Sequence, residues 1–86
     1  MNIQFTSSAW HDYNWFQKRD LQSLKKINQL IKETMRTPFD GTGKPEPLRE
    51  NLSGYWSRRI NSEHRLVYRV TDTTLIIISC RFHYNK

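Results

Sequence analysis

Residues 2–6, Asn2-Ile3-Gln4-Phe5-Thr6, alternate polar and apolar side chains, the two-residue period of a short strand with one buried face. Ser7 or Ser8 follows with a hydroxyl suited to cap a helix by accepting a free first-turn amide. Trp10, Tyr13 and Phe16 then recur at three-residue spacing and are expected in the core. Asp20 is a second cap. Beyond it Leu21, Leu24, Ile27, Leu30, Ile31 and Met35 return at helical intervals, with Lys25, Lys26, Lys32 and Glu33 opposite. Thr37-Pro38 ends this second helix, because a residue before proline is pushed out of the helical region. The pattern predicts a helical hairpin broken near residues 18–20. Residues 37–47 hold all three prolines and two of the three glycines, and predict a loop.

Three short segments rich in β-branched and aromatic residues follow, 55–60, 64–71 and 74–82, spaced as an antiparallel meander. The expected fold is therefore α+β: an N-terminal strand and a two-helix hairpin packed on an antiparallel sheet. In the middle strand Leu66, Tyr68 and Val70 share one face, leaving Arg65, Val67 and Arg69 on the other. In the last, Ile76, Ile78, Cys80 and Phe82 share a face, opposite Ile77, Ser79, Arg81 and His83. An odd loop, Thr71-Asp72-Thr73, aligns the two apolar faces, with Leu66 opposite Ile78 and Arg65 opposite Ser79. Under this register the helices cover the apolar face. Arg65, Arg69, Arg81 and His83 are left together on a basic outer surface.

Eighty-six residues suit one domain, 1–86, with a thin core: 36% of the chain is hydrophobic, although aromatics supply 13%. A single cysteine excludes an internal disulfide and suits a reducing cytoplasm. No apolar run approaches the ~18 residues of a membrane span, and the N-terminus lacks a signal-peptide pattern, so a cytoplasmic protein without a membrane partner is expected. Net charge is +6, with eight Arg to six Lys. Residues 44–86 carry eight basic and four acidic side chains, a balance of +4. A solubilising surface would account for some of this. A phosphate-rich partner accounts for the arginine bias as well, since Arg prefers bidentate phosphate contacts.

RNA holds its own nucleophile, the 2′-hydroxyl, so cutting it takes a base, an acid and positive charge at the phosphate. Glu46 is the candidate base: Pro45 and Pro47 stiffen its backbone and present the carboxylate with little entropy to lose. His83 is the candidate acid, because imidazole titrates near neutrality. Arg65 is the candidate for charge building on the phosphate, with Arg59 and Arg81 as further cationic candidates. Tyr84 is suited to stack on a base or orient the phosphate, and Arg49 to contact a phosphate. Each has a plainer alternative as solvated loop, strand surface or core edge. No metal site is expected: Cys80 and His83 make a C-x-x-H pattern, but an offset of three on a strand sends them to opposite faces, and nothing completes a ligand set. Gly41-Thr42-Gly43-Lys44 lacks the spacing of a phosphate-binding loop.

Gly43-Lys44-Pro45-Glu46-Pro47-Leu48, Asn51-Leu52-Ser53-Gly54-Tyr55-Trp56-Ser57-Arg58-Arg59-Ile60, His64-Arg65-Leu66-Val67-Tyr68 and Cys80-Arg81-Phe82-His83-Tyr84 resemble the YoeB (Txe/YoeB) toxins of bacterial type II toxin–antitoxin pairs, in the RelE-like superfamily. The resemblance runs over essentially the whole chain and is strongest from Thr37 onward. It implies a RelE-like fold and ribosome-dependent cleavage of mRNA in the A site without a cofactor. Glu46 would be the base, Arg65 the phosphate ligand, His83 the acid and Tyr84 a positioning group. It also implies neutralisation by a YefM-like antitoxin, and leaves a homodimer open. Related chains often carry lysine at Arg49 and generally finish at the His-Tyr pair, whereas this one continues through Asn85-Lys86. Two rivals remain: a ParE-like toxin of the same fold acting on gyrase, and a non-catalytic RNA- or ribosome-binding module.

Overall fold

The computed structural model describes residues 1–82. Strand β1 (Asn2–Phe5) leads into helix α1 (Ser7–Arg19), which is followed by α2 (Leu21–Arg36). Thr6, rather than Ser7 or Ser8, caps α1 by accepting from the Ala9 amide at 3.1 Å. Asp20 caps α2 as expected, accepting from the Ser23 amide at 3.1 Å and the Ser23 hydroxyl at 2.8 Å. These bonds hold its carboxyl below the usual range. Phe16 is fully buried, but Trp10 is 53% exposed and stacks on Tyr13 outside the core. Of the α2 stripe, Ile27, Leu30 and Ile31 enter the core, while Leu21 stays exposed. Among the described residues no helix is long and apolar enough to cross a membrane.

The remaining strands are β2 (Glu46–Pro47), β3 (Trp56–Arg59), β4 (Arg65–Val70) and β5 (Thr74–Ser79). They form one five-stranded sheet in the order β1-β5-β4-β3-β2. β1 lies parallel to β5 and the other pairs are antiparallel, so the sheet is mixed. Part of the expected loop is therefore an edge strand: Glu46 pairs with Ser57 and Pro47 with Trp56. An edge tolerates the missing proline amide.

The register of the last hairpin departs from the expected one. Val70 pairs with Leu75, Tyr68 with Ile77 and Val67 with Ser79, leaving Ile78 as an extra residue in β5. Neither Leu66 with Ile78 nor Arg65 with Ser79 is formed. The fully buried residues of β5 are Leu75 and Ile77, and Cys80 joins them beyond the bulge. The bulge resets the alternation by one residue, and its displaced polar groups are met from the helical side. The Thr6 hydroxyl donates to Ile78 O at 2.8 Å, and Asp12 Oδ2 accepts from Cys80 N at 3.1 Å.

The segment between α2 and β2 is organised by Arg58, which points to the helical side of β3 and is fully buried. Its five N–H groups all find acceptors. Nε donates to Tyr68 Oη (3.3 Å), Nη1 to Glu33 Oε1 (3.0 Å) and Thr42 O (3.1 Å), and Nη2 to Thr37 O (2.6 Å) and Asp40 O (2.9 Å). Glu33 also accepts from the Thr42 amide and hydroxyl. Gly41, at φ +116°, lies so close to the Glu33 carboxylate that a side chain there would strike it.

The Thr42 amide and hydroxyl, then Arg58, hold the Glu33 carboxyl below its ordinary 4.5. A lowered folded-state pKa contributes stability that is present above the unfolded value and is lost as pH falls through the folded one. Glu33→Gln should therefore lower Tm at pH 7, and the gap to the parent chain should narrow progressively in melts taken at falling pH below 4.5. Burial pushes the Cys80 thiol up to about 12, with Asp12 adding to the rise. Iodoacetamide at pH 8 should leave Cys80 unmodified in the folded protein and label it promptly in denaturant; fast native labelling would contradict this packing.

Candidate active site

The helices cover one face of the sheet, and alternation assigns the other. Trp56 and Arg58 point inward from β3, so Ser57 and Arg59 point outward, as do Arg65, Val67 and Arg69 from β4. Direct pairing then lays Glu46, Ser57, Val67 and Ser79 in one row across four strands. Arg59 and Arg65 face each other in the adjoining row. Strand spacing and rise put the Glu46 and Arg65 Cα atoms about 12 Å apart. That separation leaves room for a phosphodiester between a carboxylate and a guanidinium, above Ser57. Ser57 and Val67 are themselves buried, whereas Glu46, Arg59 and Arg69 are exposed and Arg65 is half-buried.

Of the expected site residues, Glu46, Arg59 and Arg65 are thus brought onto one face. Arg65 is partly tethered, its Nη1 donating to Asn61 O (2.9 Å) and His64 O (3.1 Å). Arg81 does not join the row: its guanidinium carbon lies 3.8 Å over the Trp15 ring and 4.6 Å over that of Phe82. Glu63 approaches His64, its carboxylate 3.6 Å from Nε2. Arg49 is exposed at the start of a 3-10 turn, Glu50–Leu52, beyond β2. His83 and Tyr84 lie outside the described residues, as does any placement of His83 on the outer face.

Sequence reasoning passed over Arg58 and Glu33, which hold the segment bearing Glu46. The alternation itself contained the signal, since Arg58 and Arg59 are neighbours on a strand and one of them has to point inward. It also passed over His64, only 4% exposed, whose Nδ1 accepts from the Phe82 amide at 2.7 Å.

Residues 5–84 match the family model described as the YoeB-like toxin of bacterial type II toxin–antitoxin systems. The chain belongs to that family. It is 67% identical to a YoeB toxin from Synechocystis over 86 residues, all of both chains, so that match takes in Asn85-Lys86. It superposes on the YoeB/ParE toxin from Agrobacterium tumefaciens with a TM-score of 0.95 and 52% identity, covering 98% of this chain and 100% of that one. YoeB from Staphylococcus aureus, solved as a dimer and in a heterotetramer with YefM, gives TM-scores of 0.92 and 0.90 at 52% identity, with 98% of each chain covered.

In this YoeB-like toxin the outer face holds an unfavourable pair. Two like charges directly opposite on neighbouring strands destabilise a sheet, and Arg59 faces Arg65 with no carboxylate between them in their row. Such a pair suits a surface that meets an anion. Arg59→Gln should raise the denaturation midpoint, on the order of a few tenths of a kcal/mol, and molar salt should erase the gain. A loss of stability in low salt would show that the two arginines do not repel.

Proposed function

We propose that this toxin is a ribosome-dependent endoribonuclease that cuts mRNA in the A site and arrests translation in the cytoplasm. Glu46 takes the 2′-hydroxyl proton as that oxygen attacks phosphorus. Arg65, with Arg59 beside it, holds the charge that builds on the phosphoryl oxygens. The bond to the 5′-oxygen breaks, and His83 gives that oxygen a proton while Tyr84 positions the substrate. The products are a 2′,3′-cyclic phosphate, or its hydrolysed form, and a 5′-hydroxyl. Arg49 is assigned a supporting contact to the RNA backbone; Arg81, which lies over the Trp15 and Phe82 rings, would have to leave them to add a second. The protein supplies the acid, the base and the cations, so the step needs no metal.

The observation that carries this reading is the outer face itself, with Glu46 in one row and the Arg59–Arg65 pair in the next. The rigid Pro-Glu-Pro segment favours a presented carboxylate over a solvated one, and membership of the YoeB-like toxin family supports the target. The partner is a YefM-like antitoxin, by analogy with the S. aureus complex, and we place its acidic contacts over the basic face. The dimer of that relative supports self-association as well.

Glu46→Gln and His83→Gln should each lower single-turnover cleavage of ribosome-bound mRNA by about 10²–10³-fold while ribosome binding stays within a few-fold. Arg59→Ala should weaken binding instead and reduce its salt dependence by about one unit of slope. Cleavage that survives both catalytic substitutions would sink the acid–base assignment, and gyrase poisoning without RNA cutting would favour the ParE-like alternative. Saturating antitoxin should abolish cutting.

A further inference from the structure

We infer that His64 is a positioning residue, a buried acceptor that sets the segment leading into His83 and couples it to Arg65. The inference rests on the reading of His83 as the proton donor.

Phe82, the residue before His83 in sequence, is gripped at both ends of its backbone. Its amide donates to His64 Nδ1 at 2.7 Å, and its carbonyl accepts from the Arg65 amide at 3.1 Å. His64 and the first residue of β4, Arg65, therefore hold the same residue, and Arg65 is the candidate phosphate ligand. Phe82 sits at φ +62°, a left-handed conformation that a bulky side chain adopts only when its surroundings impose it. Its ring is half exposed, so core packing alone is a weak source of that constraint.

His64 is itself fixed. Its ring meets Phe16 edge-on at 5.0 Å and lies 6.3 Å from Trp15 and 5.4 Å from Phe82. Its amide donates to Asn61 Oδ1 at 2.8 Å, and Asn61 Nδ2 donates to Ser23 Oγ at 3.0 Å. Ser23 in turn donates to the Asp20 cap of α2, so a chain of hydrogen bonds runs from a helix start to the C-terminal segment. Nδ1 accepts only with its lone pair free, which puts the ring proton on Nε2, 3.6 Å from the Glu63 carboxylate. A surface histidine has no need of this arrangement. Here it converts a backbone amide of the C-terminal segment into a fixed point relative to the arginine row.

The test separates the acceptor from the bulk of the ring. His64→Phe keeps an aromatic ring among Phe16, Trp15 and Phe82 but removes the acceptor. His64→Asn puts a carbonyl oxygen near the Nδ1 position and leaves space behind it. His64→Gln, whose carbonyl reaches toward the Nε2 position, is a second variant without the acceptor should His64→Phe fold poorly. Three readouts are needed: single-turnover cleavage of ribosome-bound mRNA, ribosome binding, and amide exchange at Phe82. In the parent chain a through-bond 15N–15N coupling between Phe82 N and His64 Nδ1 should be detectable. His64→Phe and His64→Gln should each lower the cleavage rate at least tenfold with binding unchanged and Phe82 exchange at least tenfold faster. His64→Asn should recover most of the rate even where its Tm is lower.

Cleavage that follows Tm across the three variants, regardless of the acceptor, would overturn the inference, as would absence of the coupling. Equal cutting by the parent chain and His64→Phe would overturn the positioning role and leave the nuclease reading intact. A parent chain that cuts nothing on the ribosome would overturn the nuclease reading, and this role with it.

Discussion

The fold depends on one buried guanidinium. Arg58 leaves none of its five N–H groups unmet, and three of its acceptors are main-chain carbonyls of a loop, at Thr37, Asp40 and Thr42. The other two are Glu33 and Tyr68. A lysine has three donors on a point charge and leaves several of these groups orphaned. An apolar residue of similar volume would satisfy none of the carbonyls. Buried ion pairs in general add little net stability over a good apolar core. What this one decides is shape: a loop of 37–44 with no ladder of its own is given a single conformation.

That conformation sets the edge of the sheet. Gly43 O accepts from the Arg59 amide at 2.6 Å, and the chain then continues through Pro45 into the Glu46–Ser57 pair. Gly43 is as constrained as Gly41, because a Cβ there would press on Leu30, Arg59 O and Arg58 within 3.0–3.2 Å. Neighbouring arginines on β3 thus do opposite things. Arg58 turns inward and fixes the segment bearing the carboxylate, while Arg59 turns outward into the cationic row. The same strand supplies the floor, Ser57, small enough to leave the face open above it.

The opposite edge of the site is set by contacts between layers rather than within the sheet. β5 cannot keep a strict alternation from Leu75 to Cys80 and bury both, because they stand an odd five positions apart. The bulge at Ile78 resolves the conflict, and α1 and its cap stabilise it, Thr6 meeting Ile78 O and Asp12 meeting Cys80 N. Beyond the bulge the chain swings Arg81 onto Trp15 and brings Phe82 against His64 and Arg65. The helices therefore shape the basic outer face indirectly, through the strand they pack on.

The sequence by itself determined most of the elements and the broad class of surface. Apolar periodicity marked both helices, and β-branched and aromatic content the three-strand meander, because burial of one face favours those patterns. Alternation marked the N-terminal strand as well, but the expected buried face is not formed there, since Ile3 stays 46% exposed and Phe5 is only partly buried. The arginine bias and the stiff Pro-Glu-Pro segment marked Glu46, Arg59 and Arg65 as candidates, since charge and backbone restriction are local properties. Tertiary structure alone decided which side of β5 faces the helices, that Trp10 remains outside the core while Arg58 lies inside it, and that Arg81 leaves the cationic row for Trp15. It also turned part of a proline-rich loop into an edge strand. A run such as Leu75-Ile76-Ile77-Ile78 is apolar at every position and so specifies no face. Only partners distant in sequence, Thr6 and Asp12, can choose among its registers, as Glu33 does for the inward turn of Arg58 on β3, because the polar groups they satisfy exist in need of partners only once the layers have come together.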